Sequence, residues 1–103
     1  MSKEYENTGV DEIFIERARQ HLQGWTNEHD DQHIDGSLAI AGAMYALTPL
    51  LNQSEKIGEL TPRQWPWKDE WWKPSIDDRI KELRKAGALI AAEIDRLKRL
   101  ENE

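Results

Sequence analysis

Six ionisable side chains crowd into eight consecutive positions of this chain: Glu28, His29, Asp30, Asp31, His33 and Asp35, within GWTNEHDDQHIDGS over residues 24–37. Imidazoles four residues apart face the same way on a helical turn, so His29 and His33 have the spacing of a metal-binding pair. A carboxylate from Asp30 or Glu16 would complete a facial ligand set. A calcium loop fails on inspection. Asp31, His33, Asp35 and Gly36 fall at loop positions 1, 3, 5 and 6, but position 12 is Gly42 and not glutamate. The same residue types also suit plainer work, capping helix ends and pairing with Arg17 or Arg19. The reading therefore assigns no metal and no cofactor, and keeps a divalent ion as the alternative. It also expects raised histidine pKa values beside so many carboxylates.

The second concentration of chemistry is RQWPWKDEWWKP, residues 63–74, which holds four of the five tryptophans. Indole rings supply large apolar area with one polar N–H, and they are typical of interfaces and ligand pockets. Trp65 and Trp67 straddle Pro66, which favours an extended backbone with both rings on one broad side. Trp71 and Trp72 are adjacent, so both cannot point inward equally. The expectation is a lid over the core that leaves some aromatic surface open, with Arg63, Lys68 and Lys73 as cations for a phosphate or an acidic partner.

Other chemistries find less support. The chain has no cysteine, which excludes disulfides, thiolate nucleophiles and zinc–thiolate sites. It has no glycine-rich phosphate loop and no Ser/His/Asp order. Glu16, the acidic turn and the Glu93/Asp95 pair loosely resemble the all-α nucleotide pyrophosphohydrolases, which hold Mg²⁺ on helix-borne carboxylates. Their E-E-x-x-E followed by E-x-x-D spacing is missing here.

These groups need a scaffold, and 103 residues suffice for one domain with a modest core. A net charge of −6 argues against general nucleic-acid binding, which needs a basic surface. The start lacks an apolar signal core, and the longest apolar run, Leu38 to Leu47, is half of the roughly 20 residues a membrane span requires. A cytoplasmic protein with no membrane association is expected.

The periodicity predicts an all-α fold: a small bundle of three main helices, with a flexible tail over 1–9 and a single helical domain over 10–103. Thr8 and Asp11 form a capping box for a first helix at 10–23, where Val10, Phe14, Ala18 and Leu22 recur at helical spacing and Gly24 ends the run. A short turn can follow Thr26. The second helix opens at LAIAGAMYAL with Asp35 or Ser37 as cap, is apolar nearly all round, and is kinked or ended by Pro49. A long Trp/Pro-rich connection follows. Ser75 and Asp78 then cap a long C-terminal helix in which Ile76, Ile80, Leu83, Gly87, Ile90, Ile94 and Leu97 repeat to about Glu101. The second and last helices should pack closely near Gly42 and Gly87. The long helix should overhang so small a core, and its uncovered stripe predicts a homo-oligomer.

Three blocks, ERARQ…GWTNEHDDQH…GSLAIAGAMYAL, WPWKDEWWKP and RIKELRKAGALIAAEIDRL, together resemble a family of short proteins encoded by tailed bacteriophages and prophages. The match spans about residues 15 to 98 and includes Glu16, Arg17, Gln20, Glu28 to Asp31, His33, Trp65, Trp67, Trp72 and Pro74. Ser37 departs from the family's glutamate in G-E-L-A, which removes a carboxylate from the start of the second helix. The resemblance implies a genomic setting, and with it a small accessory factor acting on host physiology or defence.

The expected function is therefore binding rather than catalysis: inhibition of a bacterial defence or regulatory system, by occupying a host protein or sequestering a nucleotide-type ligand. The candidate binding residues are Glu16, Gln20, Glu28, His29, Asp30, Asp31, His33, Trp65, Trp67 and Trp72. The competing readings are a metal-dependent nucleoside triphosphate pyrophosphohydrolase and a structural subunit of a phage assembly. If the second and last helices run antiparallel, the connection is long enough to bring Trp65 and Trp67 back to Glu28–His33 and Gln20. That would form one cleft with an aromatic wall and an acidic, imidazole-bearing floor.

Overall fold

The computed structural model describes residues 7–47, 63–75 and 77–102, and its described residues are helical with no strand. Ile76, Pro49 and most of the long connection lie outside them. Four α-helices follow in order: α1 (Gly9–Leu22), α2 (Asn27–Asp30), α3 (Ser37–Ala46) and α4 (Arg79–Glu101), with a 3-10 turn at Asp69–Trp71 before α4. None of these helices is long and apolar enough to cross a membrane.

The helix ends follow local chemistry. Thr8 and Asp11 close the expected capping box: Thr8 Oγ1 accepts from the Asp11 N–H at 3.2 Å, and Asp11 Oδ2 accepts from the Thr8 N–H at 2.9 Å. At the far end Gly24 takes a φ of 102°. Its N–H donates to the His21 carbonyl while the Trp25 N–H donates to the Gln20 carbonyl, a Schellman ending that fixes where Trp25 leaves the helix. Neither Asp35 nor Ser37 is the N-cap of α3. Gly36, with a φ of 80°, holds that position, Ser37 is the first helical residue, and Asp35 Oδ1 accepts the Ser37 N–H at 3.1 Å. Helix α4 starts a turn later than the expected Ser75 box. Asp78 is its cap, accepting from the Lys81 N–H at 3.0 Å, because the Ser75 N–H is drawn instead to the Glu82 carboxylate at 3.1 Å.

Helices α3 and α4 are antiparallel. Arg79, at the start of α4, donates to the Ala46 and Tyr45 carbonyls at the end of α3, at 2.6 and 3.4 Å, where a cation also complements the helix dipole. Their close approach is at Gly42: a Cβ built there would lie 3.0 Å from the Ala86 carbonyl oxygen and 3.1 Å from Ile90 Cγ1. Gly87 does not serve this contact as expected. It faces α1, and a Cβ on it would collide with Ile13.

The core is thin: Leu38, Ala41, Met44 and Tyr45 from α3, Ala86, Leu89 and Ala92 from α4, and the rings of Trp65 and Trp72. The aliphatic stripes of the sequence do not supply it. On α4, Ile80, Leu83, Ile90, Ile94 and Leu97 are 43–65% exposed, and on α1, Val10 and Phe14 are 78% and 73% exposed. The inward faces carry Glu16 and Gln20 on α1 and Glu82, Ala86, Ala88, Leu89, Ala92 and Arg96 on α4. The reason is geometric. The small residues let helices approach, the tryptophans cover that side, and the branched side chains are left on the opposite flank.

Gly42→Leu should cost about 1–3 kcal/mol in urea unfolding, because the Ala86 backbone cannot yield to a side chain. Gly42→Ala should change stability much less, since a helix-propensity gain of about 1 kcal/mol offsets the tight contact. A Gly42→Leu variant as stable as the parent would show that α3 and α4 are not tightly apposed there.

Candidate functional site

The aromatic side of the molecule is built from three short segments. The Schellman turn delivers Trp25, Thr26 caps α2 and positions His29, and His33 follows one turn later. The segment from Arg63 brings Trp65 and Trp67 onto α3, held by Trp65 Nε1 donating to the Lys68 carbonyl at 3.0 Å. The Tyr45 hydroxyl ties the same segment down by accepting the Lys73 N–H at 3.1 Å.

Rings then touch in sequence. Trp25, His29, His33 and Trp67 form a closed circuit with centroid separations of 4.8, 4.9, 5.2 and 5.6 Å. Trp67 meets Trp65 edge-on at 5.3 Å, Trp65 meets Trp72 at 4.9 Å, and Trp72 stacks on Tyr45 at 4.9 Å. Such edge and offset contacts each contribute about 0.5–1.5 kcal/mol beyond burial. Trp72 is 7% exposed while its neighbour Trp71 is 50% exposed, so one of the two adjacent rings stays open.

Two clefts flank this wall. One, of about 650 Å³, is lined by His29, His33, Trp25, Trp67 and Trp71, with Pro66 and Lys68 at its edge. The other, of about 570 Å³, lies between α1 and α4 and carries Glu16, Gln20, Trp65, Trp67, Trp71 and Tyr45. Both volumes suit a small ligand.

Trp67, His29 and His33 are thus brought together, while Glu16, Gln20 and Trp65 stand in the second cleft. The acidic floor is not realised. Asp30 is 0% exposed, 3.4 Å from Arg17 Nη2 and 3.2 Å from His29 Nδ1. Asp31 pairs with Arg99 at 2.6 Å, and Glu28 is exposed and lines neither cleft. Glu16 is buried and held by Arg19 at 2.9 and 2.5 Å. Among the described residues no three histidine or carboxylate side chains come together as a metal-ligand set. Trp72 belongs to the core.

No family model, curated protein or solved structure matches the chain.

Reasoning from the sequence missed Trp25, Lys81 and Lys85, and of the adjacent pair it named Trp72 and not Trp71 as a binding residue. Trp25 had a signal in its place directly after the Gly24 stop. Lys81 and Lys85 sit one turn apart on α4, a spacing that reads as ordinary solvated helix surface until the tryptophan segment is seen to cover that flank. Burial lowers the Lys85 pKa and the nearby Lys81 charge adds to this, with Glu16 and Glu82 opposing.

The expected rise in histidine pKa is reversed at His33. Burial pushes its pKa below 6.5 and His29 adds to that, while Asp35 and Asp30 oppose and Arg96 lowers it further. The folded state therefore binds fewer protons at this ring than the unfolded chain. Its contribution to stability is complete above pH 6.5 and is lost as pH falls through the folded value. An NMR titration should place the His33 midpoint below 6.5, and His33→Asn should flatten the loss of urea stability between pH 7.5 and 5.5. A midpoint at or above 6.5 contradicts this.

Proposed function

We propose that this chain is a phage-encoded accessory protein that acts by binding, occupying a component of a bacterial host's defence or regulatory machinery in the host cytoplasm. The circuit of Trp25, His29, His33 and Trp67 beside the half-exposed Trp71 supports this most. Aromatic anchors in a partly desolvated cleft are what binding hot spots use. The phage resemblance supplies the setting.

Expressed in bacteria that carry the targeted defence, the parent chain should raise phage plating. Trp67→Ala and His33→Ala should each weaken partner binding by roughly 10–100-fold while the helical circular-dichroism signal stays largely intact. If both variants unfold and activity tracks only the folded fraction, the rings are core and the binding reading falls. Steady Mg²⁺-dependent triphosphate turnover abolished by Glu16→Ala would replace binding with hydrolysis.

A second copy of the chain is the other partner we propose. The α4 stripe runs between α1 and α3: Gly87, in that row, takes Ile13, and Ile90 meets Gly42. Glu16 and Gln20 turn toward the clefts, so Val10 and Phe14 fall on the opposite flank of α1, beside the stripe. Seven large side chains are 43–78% exposed there. At roughly 100 Å² each, they approach the ~800 Å² per partner of a stable interface. Light scattering at micromolar concentration should give a mass above 12.0 kDa, and Ile94→Glu should return the protein to monomer. A monomeric parent removes this proposal.

A further inference from the structure

The cleft between α1 and α4 has a charge pattern opposite to that of the chain. The protein carries a net charge of −6, yet five cations line this cleft against one carboxylate, Glu16. Glu16 is already engaged by Arg19, and Arg84 is paired with Glu12 at 2.9 Å. Lys73, Lys81 and Lys85 form no ion pair among the described residues. Like charges that outnumber the carboxylates on one wall raise the local concentration of anions. Lys85 is further fixed: its Nζ donates to the Lys73 carbonyl at 2.6 Å and lies 5.2 Å over the Tyr45 ring.

Much of the remaining surface is aromatic, and three of the residues lining the cleft, Gln20, Trp67 and Arg84, carry a buried polar atom with no hydrogen-bond partner among the described residues. Trp71 offers a half-exposed indole across from α1. Gln20 is 7% exposed; its Nε2 donates toward Glu16 at 3.5 Å, and its Oε1 is buried with no hydrogen-bond partner among the described residues. Flipping the amide would aim its oxygen at the Glu16 carboxylate, so the assignment stands. A buried acceptor without a donor is costly, and an N–H on an inserted ring satisfies it.

We infer that this cleft binds a nucleoside phosphate, its base against the tryptophan wall with an N–H toward Gln20 Oε1, and its phosphates on Lys73, Lys81 and Lys85. Each half of the ligand answers a separate feature: stacking is tolerant of base identity, and the lysines act as point charges for phosphate oxygens. The inference rests on the reading that the chain acts by binding and names the ligand class.

Calorimetric titration of the full chain with ATP, adenosine and inorganic tripolyphosphate tests it. ATP should bind saturably, at least about tenfold tighter than adenosine or tripolyphosphate alone. Trp71→Ala, Lys81→Glu and Lys73→Gln replace exposed side chains, and each should weaken ATP about tenfold with helical content unchanged. Absence of saturable ATP binding, tripolyphosphate binding as tight as ATP, or affinity untouched by all three substitutions would overturn the inference. So would a single-stranded oligothymidylate that displaces ATP at lower concentration, since the ligand would then be nucleic acid. If ATP fails while plating protection still depends on Trp67, this inference falls and the binding reading survives.

Discussion

The fold depends on how closely α3 can approach α4. Gly42 leaves just enough room for the Ala86 carbonyl and Ile90, and alanines on both helices keep the seam narrow. A narrow seam excludes water but contains few atoms, and dispersion and burial scale with atoms in contact. The bulk is supplied from outside the helices by Trp65 and Trp72, whose rings close over Tyr45. The tryptophan segment is therefore structural at one end and open at the other.

That division explains which parts of the molecule were legible in the sequence. The Thr8–Asp11 box, the Gly24 stop and the turn after Thr26 follow from local chemistry and stand where the residues place them, as does the long last helix apart from its first turn. The inward faces were misread for a physical reason. Hydrophobic periodicity marks the side of a helix that avoids water, not the neighbour that covers it. Here the branched stripe of α4 stays 43–65% exposed, while Ala86, Leu89 and Ala92 share a core with α3 and with two tryptophans.

The candidate site was half legible. The return of Trp67 to His33 was anticipated from chain reach alone, and the two rings are 5.2 Å apart. The carboxylates were assigned to the floor on density, but Asp30 and Asp31 are consumed by Arg17 and Arg99. Arg17 was among the partners the sequence offered for this cluster, but Arg99 lies 68 residues after Asp31 and only the fold could choose it. Lys73 was legible as a cation beside the tryptophans, but its companions Lys81 and Lys85 lie on an amphipathic helix, and only tertiary structure brings the three to one cleft.

The unbroken contact of Tyr45, Trp72, Trp65, Trp67 and Trp25 also has an optical consequence. Indole rings held about 5 Å apart in fixed, tilted orientations couple their electronic transitions and pass excitation readily among themselves. The near-ultraviolet circular dichroism of this chain then belongs to the array and not to separate chromophores, and a quencher reaching one edge darkens emission from the whole. Lifting the tryptophan segment off Tyr45 would dismantle the array while leaving each helix intact, so the aromatic and peptide spectra report different levels of the same structure.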